Sequence, residues 1–132
     1  MNLDNLSKIA LDYCVAKAVR LNVSLFGDLI LNNFTDILIK KKNEKYESIQ
    51  MDYNFIEKII EEYDFISIKT FNSVKGYKWR VELFDWDDKT DTGKGQIISL
   101  GRTALEAIKK CIVKKNIDKV KLIELLSEMK KN

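Results

Sequence analysis

Apolar and polar positions recur along this chain with two different periods, and the switches between them mark its elements. Over residues 3–20 the spacing is helical. Leu6, Ile9, Ala10, Tyr13, Ala16 and Lys17 share one stripe, and Leu11, Val15, Ala18 and Val19 widen it. Asp4, Lys8 and Asp12 leave only a narrow polar edge, so the pattern predicts a helix mostly covered by the rest of the domain. Residues 21–31 carry β-branched and aromatic side chains around Gly27-Asp28, which reads as a bent strand or hairpin. Asn32-Asn33 reads as a turn and residues 36–40 as a short strand. The run Lys40-Lys41-Lys42 with Asn43 and Glu44 reads as a solvated loop.

Helical spacing returns at 51–63, with Phe55, Ile56, Ile59 and Ile60 on one face and Glu57, Lys58, Glu61 and Glu62 on the other. Asp52 or Asn54 can cap its start. The period then changes to two. Residues 65–69 alternate, and so do residues 77–84, where Tyr77, Trp79, Val81 and Leu83 point one way and Lys78, Arg80 and Glu82 the other. Residues 72–76 read as a hairpin loop, 85–95 as a polar loop and 96–100 as a third strand. Two helices close the pattern. The first starts at Gly101-Arg102-Thr103, where Thr103 and Glu106 fit a capping box, and buries Leu105, Ile108, Cys111 and Ile112. Its Lys109, Lys110, Lys114 and Lys115 complement the negative end of the helix dipole. The second runs over 118–129 with Val120, Ile123 and Leu126 inward. The expected fold is one α+β domain: an antiparallel sheet of at least three strands between Phe65 and Leu100, packed by N-terminal and C-terminal helices.

Composition narrows the chemistry. The 132 residues, 45% hydrophobic and 33% charged, suit one globular domain. A net charge of +3, from 23 basic and 20 acidic residues, is too balanced to call for nucleic acid. No stretch has the apolar core of an export signal or the length of a membrane span. Cys14 and Cys111 stand far apart inside apolar helical patterns, as buried thiols of a reducing cytoplasm would. There is no histidine, which removes histidine triads and histidine metal sites. No catalytic residue, metal or cofactor is expected. Asp85, Asp87, Asp88 and Asp91 fail calcium-loop spacing, because Lys89 and Gln96 stand where ligands are needed. Gly93-Lys94-Gly95 lacks the spacing of a phosphate loop and reads as a flexible turn.

Two candidate sites remain. Gly101, Arg102 and Thr103 open a helix, where free N–H groups and a guanidinium suit an anion, although Glu106 stands close by. Trp86 follows the strongest strand and, with Lys40, Lys41 and Lys42 steering an acidic partner, is an interface candidate.

Several segments also resemble, in order along the chain, the NinX-like family of small phage-encoded proteins of uncharacterised function. Leu11-Asp12-Tyr13-Cys14-Val15-Ala16-Lys17-Ala18 resembles its N-terminal helix. Tyr53, Ile59-Ile60-Glu61-Glu62 and Ile66-Ser67-Ile68 follow in its order. Trp79-Arg80-Val81 is similar to its Trp-x-Ala strand, and Thr103-Ala104-Leu105-Glu106-Ala107-Ile108 to its Thr-Pro-Leu-x-Ala-Ala helix start. The family's central Trp and Gly-Gly-Pro segment is absent, and Ala104 replaces the proline. The resemblance implies a phage or prophage origin and a role inside the bacterial host cell. It carries over no catalytic residue. Two functions are therefore expected: a non-enzymatic protein that binds a host protein or complex, such as a defence system, or a protein that sequesters a nucleotide or phosphorylated metabolite at Gly101–Thr103.

Overall fold

The computed structural model describes residues 3, 6–21, 23–28, 33–40, 46–48, 51–63, 65–70 and 76–130, with backbone alone for 23–28, 33–40, 46–48 and 129–130. In chain order the elements are α1 (Lys8–Ala18), β1 (Val23–Asp28), β2 (Asn33–Lys40), β3 (Tyr46–Ser48), α2 (Tyr53–Ile60), β4 (Phe65–Thr70), β5 (Trp79–Asp87), β6 (Thr92–Gly101), α3 (Ala104–Asn116) and α4 (Lys119–Lys130). The fold class is α+β, as the two periods of the sequence require. The chain gathers into two compact units, Met1–Met51 with Asn116–Asn132, and Asp52–Lys115. No helix among the described residues is long and apolar enough to cross a membrane.

In the first unit, Ser7 caps α1 by accepting from the Ala10 N–H at 3.2 Å. The helix is buried at Leu11 through Ala16 and at Ala18. Asp12, expected on the polar edge, is among the buried residues. Lys17 reaches back over the Tyr13 ring, its Nζ 5.6 Å from the centroid. Strands β1, β2 and β3 form an antiparallel sheet in that order, bulged between Phe26 and Gly27. Asn33, expected in a turn, instead opens β2 opposite Asp28. The strand expected over 36–40 is the second part of this longer one. Lys40 ends β2, while Lys41 and Lys42 lie outside the described residues.

Asp118 caps α4, accepting from the Lys121 N–H at 2.8 Å. The inward face of this helix differs from the expected one. Val120 and Ile123 are 68% and 46% exposed, and Leu122, Leu125 and Leu126 are buried. Five apolar residues between 120 and 126 allow two stripes. The leucine triplet at i, i+3 and i+4 removes more aliphatic surface from water than Val120, Ile123 and Leu126 would.

In the second unit, Asp52 caps α2 through the Phe55 N–H at 3.0 Å, and Ile56 is fully buried. Strands β4, β5 and β6 form the expected three-stranded antiparallel meander. Val81 and Leu83 are fully buried, as are Ile108, Cys111 and Ile112 of α3. The Cys111 thiol donates to the Val81 carbonyl at 3.3 Å, so α3 lies across this face of the sheet. Trp79 and Leu105, expected in the same core, are only half-buried at its margin.

The β5–β6 hairpin is longer than its polar sequence indicates. Strand pairing continues to Asp87 and Thr92, leaving residues 88–91 as the turn. Gly93 and Lys94 pair with Trp86 and Asp85, so Gly93-Lys94-Gly95 is strand and not a flexible turn. Pairing survives because β6 takes up one extra residue between Ile97 and Lys94, where Gly95 adopts a φ of 63°.

The outer edge of β6 is covered by lysines. The Gly101 carbonyl accepts from Lys78 N on the β5 side at 3.1 Å. Carbonyls alternate along a strand, so those of Leu100 and Ile98 point away from β5. Lys110 Nζ donates to Leu100 O and Lys114 Nζ to Ile98 O, each at 3.1 Å. Lys115 Nζ donates to Gly95 O at 3.1 Å and pairs with Asp85 Oδ2 at 3.2 Å. These side chains thus serve the sheet, and Lys114 and Lys115 also stand in the last turn of α3, as expected. Lys110 is buried, and its ammonium also meets Glu106 Oε1 at 3.0 Å and lies 5.2 Å from the Tyr77 ring centroid. Lys110→Met keeps the stem and removes these hydrogen bonds. It should lower unfolding free energy by about 1.5–3 kcal/mol in urea denaturation.

Candidate functional site

The helix start singled out in the sequence is built by β6 running into α3 through a tight turn. Thr103 Oγ1 accepts from the Glu106 N–H at 3.1 Å, which is one half of the expected capping box. The other half is shifted by one residue: Glu106 Oε2 accepts from the Arg102 N–H at 3.1 Å. The same carboxylate pairs with Lys110 through Oε1. Arg102 and Thr103 are exposed. The chain therefore brings its own anion to this helix start, and an external anion would have to share the donors with Glu106.

The surroundings of Trp86 are different. Trp86 lies within β5, beyond the point where the sequence pattern ends the strand, and is half-buried. Phe84 and Trp86 are two residues apart and so share a face, opposite the one that carries Val81 and Leu83. Phe65 pairs with Phe84 across the β4–β5 ladder. The Phe65 and Phe84 rings stack, with centroids 5.2 Å apart and planes at 7°. Trp86 meets Phe65 at 5.4 Å, tilted by 56°. Such pairs add about 0.5–1.5 kcal/mol beyond area burial. Phe65 nevertheless keeps 45% of its surface exposed. On the same face, Arg80 and Glu82 form an ion pair at 3.6 Å.

Sequence reasoning singled out Trp86, with Phe84 beside it as an aromatic neighbour, but missed Phe65 as their partner. The period of two through Phe84 and Trp86 was available as a signal, whereas the register that brings Phe65 beside them was not. The structure does not place the lysine tract with this cluster: Lys41 and Lys42 are outside the described residues, as is the side chain of Lys40. The acidic residues of the hairpin have local roles. Asp87 Oδ1 accepts from the Lys89 N–H at 3.0 Å, and Asp85 is paired with Lys115. Among the described residues, no group of three or more histidine, cysteine, aspartate or glutamate side chains is placed to hold a metal.

Both thiols are fully buried. Burial pushes Cys14 up to about 12. Burial also raises Cys111, with Ser99 and Lys114 partly offsetting it. Both shifts favour the protonated thiol at neutral pH. Comparison of the chain with family models, curated proteins and solved structures finds no match.

Proposed function

We propose that this chain is a small non-enzymatic binding protein of phage or prophage origin that engages a host protein or complex in the bacterial cytoplasm. The observation that carries the reading is the aromatic cluster Phe65–Phe84–Trp86, a partly exposed surface held on paired strands. Interfaces draw most of their affinity from a few aromatic and arginine anchors of this kind, and Arg80 stands on the same face. The lack of histidine and the protonated, buried thiols support a role without catalysis. The phage origin, with a defence complex as the class of target, rests on the resemblance to the NinX-like family.

The test is affinity capture from bacterial lysate with the wild-type chain and with Trp86→Ala, followed by mass spectrometry and by titration of the captured protein. Trp86→Ala should weaken binding by more than about 1 kcal/mol, roughly fivefold or more, while Arg102→Ala leaves it unchanged. A co-purifying nucleotide that is lost in Arg102→Ala would instead favour sequestration of a small anion.

A further inference from the structure

The two edges of the β4–β5–β6 sheet are treated differently. The carbonyls along β6 are covered by Lys110, Lys114 and Lys115. Among the described residues, no strand pairs with the far side of β4. Its Ile68 is 44% exposed, and Lys69 and Thr70 are exposed beside it. An uncovered edge is a template for another strand.

We propose that β4 pairs antiparallel with β4 of a second copy of this chain, about a two-fold axis through Ser67. The register follows from side-chain placement. Phe65, Ser67 and Lys69 share one face of the sheet, opposite Phe84, Glu82 and Arg80 of β5. Ile66 and Ile68 share the other face, opposite Leu83 and Val81. Two copies related by a two-fold axis must match face to face, so the axis passes through a residue and not between two.

An axis at Ser67 sets Ile66 against Ile68 of the second copy, twice, and covers the exposed isoleucine. It sets Phe65 against Lys69 of the second copy, an ammonium facing an aromatic ring. The two Lys69 side chains stay about 13 Å apart, beyond the screening length at physiological salt. The resulting six-stranded sheet ends at both sides in β6, whose carbonyls at Gly95, Ile98 and Leu100 are taken by lysines, which disfavours further strand addition and closes the assembly at two copies.

Light scattering behind size exclusion, run from micromolar to millimolar chain, should show monomer converting to dimer. Opposite residues of an antiparallel pair lie within disulfide reach. Ser67→Cys should therefore form a covalent dimer under mild oxidation, and Lys69→Cys should not. The native thiols do not interfere, because both are fully buried. Ile68→Glu should remove the dimer while leaving the circular dichroism spectrum of the monomer unchanged. If that variant unfolds, the cysteine pair decides alone. A chain that stays monomeric throughout, a Lys69→Cys variant that cross-links as readily as Ser67→Cys, or a dimer that persists in folded Ile68→Glu overturns the proposal. So does a foreign strand captured on β4 of a chain that does not self-associate. Trp86→Ala should leave the dimer intact, which separates this surface from host-protein capture.

Discussion

Gly101→Ala should be among the most damaging single substitutions in this chain, lowering unfolding free energy by about 3 kcal/mol or more in chemical denaturation. A β-carbon at this position would stand 2.6 Å from Ala107 N, 2.8 Å from Thr103 O and 3.0 Å from Ala107 Cα. All three are backbone atoms of the helix start, so none can rotate aside. Relief requires α3 to lift from β6, and that movement would pull Lys110 from Leu100 O and break the cap at Thr103. A loss below 1 kcal/mol would show that the turn has room the structure does not give it.

The second large effect is expected from Ile108→Ala, at about 2–5 kcal/mol. Ile108 is 1% exposed, on a helix whose neighbours Ala107, Cys111, Ile112 and Val113 are fully buried. Removing three carbons leaves a void that surroundings of this kind close only in part. Thermal and urea unfolding should agree on the loss. A value under half a kcal/mol would mean that α3 does not anchor this core.

The sequence made the helices legible wherever one apolar stripe dominated. Ile56 on α2 and Ile108, Cys111 and Ile112 on α3 are buried as their spacing requires. It misled where two stripes competed, as on α4. The alternation of Tyr77 to Leu83 revealed β5 but not its extension to Asp87, because the bulge at Gly95 breaks the pattern on the partner strand and local polarity mimics a loop. The helix start at Thr103 was visible in four residues, since a capping box is local. The place of Phe65 beside Phe84 and Trp86 was not, because it is set by strand register. The lysine cover of β6 was equally hidden: a lysine bound to a backbone carbonyl has no counterpart residue to recognise in the chain.

The way the chain is divided between its units also bears on the order of events at the ribosome. Residues 52–115 are contiguous, and the lysine–carbonyl bonds span only 10 to 20 positions. Loops of that length close at little entropic cost, so this half can acquire its structure as soon as residue 115 has cleared the exit tunnel. Residues 1–51 have no such freedom. Their unit draws on Asn116–Asn132, so Met1–Met51 must remain incomplete until α4 is made. Met1–Met51 therefore emerges before residues 52–115 yet is completed after them, and through that interval its apolar α1 lacks part of its packing and is a candidate for chaperone protection.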